Sequence, residues 1–308
     1  MKPSYIKIPA LTLLLSAGAL QPAAAAIVTL TSPDNKWSLS SDEFGASGEA
    51  VGGSFAKRDF GAGLTGYTWA SSVLFSDGVN RQALTSDTNF GFGGLSGTIG
   101  AGNLISDGVA GSVRTSVFNV PGFAGIQVRL TQTASNSGLT QQYLISNSGA
   151  SAVSLSAISF HDVDLDGGTF LNDFISVAGG MLKVSESARD VYFSPSPLGY
   201  VGFLAGYVAG GGITGNLDVI GYNNFGIPGA NLNQFRDVGT GAIGANMDAN
   251  SNGISDVVGD VGYLFQHNVT IPAGGSTSLI YTQLSAVPEP SAALLGLFAF
   301  GLTARRRR

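Results

Sequence analysis

Every second position from Asp248 to Asp256 carries an oxygen-bearing side chain except Ile254, and a glycine stands at Gly253. Ca²⁺ binds about six to eight oxygen ligands, and a glycine at the sixth position of a calcium loop permits its sharp turn. The spacing therefore predicts a calcium site. Its ligands would be Asp248, Asn250, Asn252, the carbonyl of Ile254, and Asp256.

The pattern D-x-N-x-N-G-x-x-D in this stretch resembles the calcium loops of dockerins and thrombospondin type-3 repeats. The resemblance implies that the stretch binds calcium. Gly259 occupies the twelfth position, where a bidentate acid is expected, and Asp260 follows it directly. We therefore expect modest affinity. A plain surface turn rich in Asn, Asp and Gly is the alternative interpretation.

A weaker calcium candidate comes earlier in the chain, where acidic residues again alternate with apolar ones. Asp162, Asp164, Asp166 and Asp173 match positions 1, 3, 5 and 12 of a D-x-D-x-D-G loop. The apolar residues between them favour a different interpretation, a β-strand with its carboxylates on one face. Neighbours on that face would lie ~6.5–7 Å apart.

Catalytic chemistry has little support in the sequence, and we assign no catalytic residue. His161 stands beside Asp162, but no G-x-S-x-G motif supplies a nucleophile. A pair of acids for glycoside hydrolysis needs the right distance in space rather than in sequence. A secreted polysaccharide-active enzyme thus stays open as an alternative, with acids drawn from Asp162, Asp164, Asp218 and Glu186.

The composition indicates an all-β chain that positions these residues. There are 45 glycines, charged residues make up 11% of the chain, and short alternating apolar runs end in Gly, Asn, Asp or Ser. This pattern is typical of an antiparallel β-sandwich. We predict one body over residues 27–286 with roughly 15 to 20 short strands.

Several strands and turns can be placed from the pattern. We expect a strand pair around Pro121-Gly122, a hairpin around Asn147-Ser148-Gly149, and a turn at Pro272–Gly275 that joins the last two strands. The motif Ser-Asp-Gly occurs at Ser76 and again at Ser106, which predicts two similar hairpin turns. The predicted strands cover 113–120, 124–133, 139–146, 152–165, 201–208, 218–222, 261–271 and 276–284.

The charge and cysteine content exclude several classes of partner and site. Residues 27–286 contain nine basic and nineteen acidic residues, a net charge of −10. An acidic body argues against nucleic acid as a partner and is compatible with divalent cations. With no cysteine in the chain, disulfides and thiolate chemistry are excluded.

The N-terminus has the three parts of a secretory signal peptide. Lys2 and Lys7 form a basic start, an apolar run extends to Leu20, and alanines before Ile27 offer cleavage sites. We predict that signal peptidase removes residues 1–26.

The C-terminus carries a second targeting pattern. The apolar run from Ser291 to Ala304 would form a helix of ~21 Å, shorter than a ~30 Å hydrocarbon core. Arginines after it should stay cytoplasmic. We therefore predict a short transmembrane helix over 291–304 that anchors the chain transiently in the inner membrane, facing the periplasm. The residues of the pattern are Val287, Pro288, Glu289, Pro290, Arg305, Arg306, Arg307 and Arg308.

This tail resembles the PEP-CTERM sorting signal of Gram-negative bacteria. The resemblance implies recognition by an exosortase, cleavage near Pro288–Pro290, and delivery to the outer surface or extracellular matrix, often with exopolysaccharide and biofilm. We therefore expect an exported surface or matrix protein that is not an enzyme. The alternatives are a calcium-supported carbohydrate-binding protein and the secreted enzyme considered above.

Overall fold

The computed structural model describes residues 27–46, 55–86, 98–165, 173–178, 181–186, 189–196, 202–207, 235–237, 256–259 and 261–285. The predicted signal peptide, the predicted helix over 291–304 and the candidate strand 218–222 lie outside these residues. Within the described part of the chain, no helix is long and apolar enough to span a bilayer.

The described residues form eighteen β-strands and one short 3-10 helix at Ala101–Asn103. The strands are β1 (Val28–Thr31), β2 (Trp37–Ser41), β3 (Ala56–Gly61), β4 (Leu64–Ser76), β5 (Arg81–Ala83), β6 (Leu104–Ala110), β7 (Val113–Asn119), β8 (Ile126–Ala134), β9 (Gly138–Asn147), β10 (Val153–Asp164), β11 (Asp173–Ala178), β12 (Met181–Glu186), β13 (Arg189–Ser196), β14 (Gly202–Tyr207), β15 (Phe235–Asp237), β16 (Asp256–Gly259), β17 (Val261–Ile271) and β18 (Ser276–Leu284).

Two nine-stranded antiparallel sheets contain all of these strands. Sheet 1 has the order β1-β2-β3-β4-β10-β17-β14-β15, with β5 paired to β4. Sheet 2 has the order β16-β11-β12-β13-β18-β9-β8-β7-β6. The last two strands of the described chain therefore lie inside the sheets, β17 between β10 and β14, and β18 between β13 and β9. The all-β antiparallel prediction is confirmed.

The core lies where the two sheets face each other, and the strands supply it with alternate residues. β8 buries Ile126, Val128 and Leu130 and exposes the residues between them. Phe265 of sheet 1 stacks on Tyr281 of sheet 2 with ring centroids 6.3 Å apart. Since burying one such side chain contributes about 1.5–3 kcal/mol, this alternation is the main source of stability.

Several predicted strands coincide with observed ones. The pair around Pro121-Gly122 is β7 and β8, which are antiparallel neighbours. The predicted strands 261–271 and 276–284 match the bounds of β17 and β18, and 201–208 contains β14.

The hairpin predicted around Asn147-Ser148-Gly149 is wrong. β9 pairs with β8 and β18 in sheet 2, whereas β10 pairs with β4 and β17 in sheet 1. The turn is therefore a corner at which the chain crosses between sheets. The turn at Pro272–Gly275 is a corner of the same kind, because β17 and β18 belong to different sheets.

The two Ser-Asp-Gly motifs adopt different structures, so the prediction of two similar turns is also wrong. The Asp77 carboxylate accepts hydrogen bonds from the backbone nitrogens of Val79 and Asn80, which closes the turn between β4 and β5. Asp107 lies inside strand β6, where its carboxylate binds Arg114 instead. The same three residues thus form a turn where the aspartate binds the backbone, and part of a strand where it binds Arg114.

Asn147 holds the two corners together at one end of the sandwich. Its Oδ1 accepts a hydrogen bond from the Gly149 nitrogen, and its backbone nitrogen donates to the Gly275 carbonyl, both at 2.9 Å. The side-chain amide donates to three backbone carbonyls at 2.8–3.2 Å, those of Ser151, Ile271 and Pro272. One buried side chain thus satisfies backbone groups of both crossovers.

Replacing this side chain should destabilise the protein. We expect Asn147→Ala to lower the free energy of unfolding by about 2–4 kcal/mol, because buried carbonyls lose their donors. Urea denaturation of the full chain measures the loss. The matched control is Asn136→Ala at an exposed turn, where we expect a change below about 0.5 kcal/mol. Equal stability of the two variants would show that Asn147 does not hold the corners.

Candidate functional site

A groove of about 460 Å³ opens at the end of sheet 2 where β7, β8 and β9 meet their loops. Asn119 ends β7, Gln127 lies near the start of β8, and Ser146 lies near the end of β9. Cross-strand register puts these three side chains in one row, Asn119 opposite Gln127 and Gln127 opposite Ser146. The amide of Gln127 donates to Oδ1 of Asn119 at 3.5 Å.

The loop from Val120 to Gly125 forms the floor of the groove. Val120 and Phe123 are buried beneath it in the core. Gly125 has φ +80°, and a Cβ there would lie 2.9 Å from the Gly149 nitrogen, so a glycine is required. Ser148 donates to the Gly125 carbonyl from its backbone nitrogen at 2.9 Å and from its hydroxyl at 3.2 Å. The floor is therefore fixed before any ligand arrives.

The chemistry of the groove is that of neutral hydrogen bonding. Its ten lining residues combine amides, hydroxyls and backbone groups with the apolar side chains of Val120, Phe123, Ala124 and Ile126, and none of the ten is ionisable. Such a surface can donate to and accept from hydroxyl groups. It offers no acid or base for proton transfer and no anionic ligand for a metal ion.

A second polar centre lies inside the sandwich, at the turn from Asp42 to Ala46. The buried Asp42 carboxylate accepts hydrogen bonds at 2.9 Å from the backbone nitrogens of Phe44 and Ala46. Its other oxygen accepts from the Thr85 hydroxyl and from the nitrogen and hydroxyl of Ser86 at 2.9–3.2 Å. Burial raises the pKa of Asp42, and these hydrogen bonds oppose that rise.

Arg114 and Glu43 complete this buried centre. Arg114 binds both oxygens of Asp107 at 2.8 Å and donates to the Ser41 carbonyl at 2.8 Å. The Ser116 hydroxyl donates to the Glu43 carbonyl at 2.5 Å. Burial raises the pKa of the Glu43 carboxyl to about 6, with the Asp42 charge adding to the rise. The carboxyl of Glu43 therefore holds its proton at a higher pH than an exposed glutamate does.

Both histidines are buried among aromatic rings in the core. The ring of His161 lies 6.2 Å from that of Tyr281 and 6.4 Å from that of Phe55. The Tyr281 hydroxyl lies 3.4 Å from Nδ1 of His267. Burial lowers the pKa of His161 to about 3 and that of His267 to about 4. Both imidazoles are thus neutral at pH 7, as expected of core residues.

The described acids of the weaker calcium candidate lie on two different strands, β10 and β11. Asp162 and Asp164 lie in β10, as the strand interpretation predicts, and Asp166 lies outside the described residues. Asp173 begins β11, where its buried carboxylate accepts from the Leu165 nitrogen at 3.3 Å. Calcium binding by these acids stays a prediction.

Of the stronger calcium candidate, the structure describes the C-terminal residue, Asp256. Asp256 begins β16, while Asp248, Asn250, Asn252 and Ile254 lie outside the described residues. β16 pairs with β11 so that Gly259 lies opposite Asp173, which brings the last positions of the two candidate loops together. Among the described residues, no group of three His, Asp or Glu side chains is arranged to hold a metal. Calcium binding stays a prediction.

Of the four acids considered for an enzyme, Glu186 is the one whose side chain the structure describes. The Glu186 carboxylate is paired with Arg189 at 2.7 Å, and Asp218 lies outside the described residues. No motif among the residues that line the groove marks it as a site. Asn119 and Gln127 lie on either side of the Pro121-Gly122 turn. Polar residues are common at the ends of strands, so these two do not stand out in the sequence.

Comparisons with known proteins assign no family to the chain. No family model matches it, and no curated protein matches it. A bacterial glucoamylase solved with acarbose is similar at 11% identity and TM-score 0.48, over 91% of this chain and 35% of the glucoamylase. The chain therefore spans about a third of that protein's length.

Two further solved structures are similar at lower scores. A candidate aldose 1-epimerase from Escherichia coli K12 aligns at 9% identity and TM-score 0.38, over 84% of this chain and 98% of its own. A galactose mutarotase-like protein from Clostridium acetobutylicum aligns at 10% identity and TM-score 0.28, over 70% and 79%. Likenesses at this level carry no assignment of activity.

The buried histidines and Glu43 should give opposite pH dependences of stability. An unfolded chain protonates its histidines near pH 6.5, whereas the folded chain resists until pH falls to about 4 or 3. Stability is therefore lost as pH falls through this window. The raised pKa of Glu43 means that the folded chain binds that proton first, which offsets part of the loss between about pH 6 and 4.5.

Two substitutions separate these contributions. His267→Gln should make the free energy of unfolding less steep in pH by about 1.4 kcal/mol per unit, and Glu43→Gln should make it steeper by up to a similar amount. Urea denaturation of both variants from pH 7.5 to 4.5 measures the slopes. Slopes that move in the same direction would contradict the burial of one of the two groups.

Proposed function

We propose that this chain is an exported surface or extracellular-matrix protein that is sorted through its PEP-CTERM tail by an exosortase. The sorting proposal rests on the sequence, in which a predicted signal peptide and a tail of Pro-Glu-Pro, apolar run and arginines occupy opposite ends. The body delivered to the surface is the antiparallel sandwich.

The observation that supports a structural role is how the described charged side chains are used. Asp42, Asp59 and Asp77 close turns by accepting backbone hydrogen bonds. The ion pairs Arg114–Asp107, Lys183–Asp190 and Arg189–Glu186 connect neighbouring strands or a turn. Groups used in this way stabilise a scaffold and are poorly placed for proton transfer to a substrate.

The mass of the mature protein tests the sorting proposal. Protein recovered from the surface of producing cells should begin near Ile27 and end near Pro288–Pro290, as measured by intact mass spectrometry. Replacing Pro288 and Pro290 by Ala should keep the tail in place and leave the protein in the inner membrane. Pro33→Ala, at an exposed turn of the body, is the matched control and should be processed normally. A surface chain that still ends at Arg308 would contradict the proposal.

A second candidate function is the binding of a neutral glycan, and the groove beside Asn119 and Gln127 favours it. Sugars present many hydroxyl groups, which both donate and accept hydrogen bonds. A rigid floor with amide and hydroxyl groups on its rim meets that requirement without ordering a loop, so binding costs little conformational entropy. The natural ligand would be the exopolysaccharide among which a surface protein lies.

Removing one amide from the rim should weaken glycan binding. We expect Gln127→Ala to raise the Kd for the producing organism's purified exopolysaccharide about 10-fold, equivalent to one hydrogen bond of about 1.4 kcal/mol. The control is Gln142→Ala, an exposed amide on the same sheet face outside the groove. Binding is measured by calorimetry with the full chain. Unchanged affinity of Gln127→Ala would remove the groove from consideration.

Whether calcium supports this function is tested by measuring glycan affinity and melting temperature with calcium and after chelation. Binding of calcium by the Asp248–Asp256 loop would raise the melting temperature, since any ligand that binds the folded chain stabilises it. If chelation changes neither melting nor glycan affinity, the calcium-supported form of the proposal fails, while the groove itself is judged by Gln127→Ala.

A further inference from the structure

Strand β6 forms an exposed edge of sheet 2. It pairs with β7 along one side, and no described strand pairs with its other side. Six of its seven residues are exposed, and among them Ile105 and Val109 are 54% and 50% exposed. Such an edge presents a row of backbone donors and acceptors to any strand that approaches.

The devices that usually protect an edge strand are scarce in β6. The sequence Leu-Ile-Ser-Asp-Gly-Val-Ala contains no lysine and no proline. Its single charge, Asp107, is neutralised by the two hydrogen bonds from Arg114. A register shift at Ile105 distorts the start of the strand, and the pairing from Ser106 to Ala110 is regular.

We propose that β6 is a self-association surface, at which a second copy of this chain adds its own β6 in antiparallel orientation. When the two-fold axis passes through the central residue, Asp107, the residues around it lie opposite residues of the other copy, and the two Asp107 carboxylates, each held by its own Arg114, face each other. That register places Ile105 of each copy opposite Val109 of the other, so exposed apolar side chains cover each other.

Charge favours this site over other surfaces for contact between copies. The body carries a net charge of −10, so two copies repel each other over most approaches. At β6 the one carboxylate already has its guanidinium partner, and no uncompensated charge lies in the strand. A contact limited to one strand buries less than about 1,200 Å², which fits weak, reversible association.

A lysine on the edge should prevent this contact. We expect the full chain, in a mild detergent, to dimerise with a Kd of about 10–100 µM by sedimentation velocity, as suits a small interface. Val109→Lys should raise that Kd at least 10-fold. The matched control is Val79→Lys, at a valine that is 88% exposed in the β4–β5 turn, and it should dimerise like the wild type.

The register can be tested by disulfide formation, because the chain has no cysteine of its own. The proposed axis puts Ser106 of one copy opposite Gly108 of the other, within reach of a disulfide. A Cβ at Gly108 would have no atom within 4 Å, so Gly108→Cys should be accommodated. An equal mixture of S106C and G108C chains should cross-link in oxidising buffer faster than either variant alone.

Three results would overturn the proposal. The first is a wild-type chain that stays monomeric up to about 1 mM, well above the expected Kd. The second is a loss of dimer in Val79→Lys as large as that in Val109→Lys, since this would indicate a general charge effect. The third is cross-linking of the S106C and G108C mixture no faster than that of the single variants.

Discussion

A carboxylate that leaves water must find hydrogen bonds inside the protein, and the turn from Asp42 to Ala46 satisfies this requirement in a way that links the two sheets. Asp42 binds Thr85 and Ser86, just after β5 of sheet 1. The Glu43 and Gly45 carbonyls accept from Ser116 and Gln141 of sheet 2. Because an unmade hydrogen bond here would cost about 1–3 kcal/mol, the spacing of the sheets is set by polar as well as apolar contacts.

The local sequence pattern was sufficient to predict where strands lie, but it was insufficient to predict which strands pair. β17 and β18 alternate clearly and match their predicted bounds. The same alternation does not show whether two consecutive strands pair with each other. The sequence Asn147-Ser148-Gly149 is equally typical of a hairpin turn and of a corner between two sheets. The choice depends on Ile271 and Pro272, whose carbonyls bind the Asn147 amide from more than a hundred positions away.

The candidate sites illustrate the same limit. The groove combines residues near 119–127 with Ser146 and Ser148, none of which carries a distinctive motif. Conversely, the two candidate calcium loops have recognisable spacing, but the pairing of β11 with β16, which sets Asp173 opposite Gly259, depends on sheet topology. Residue type and spacing predict which chemistry is available. The sheet decides which groups meet.

The central positions of β17 and β18 have a consequence for the order of biosynthetic events. Neither sheet can be completed before residues 261–284 are available, because both strands insert between partners made much earlier. Long-range pairing of this kind is slow to form. Under the export proposed above, closure of the sandwich would wait until residues 261–284 had reached the far side of the membrane.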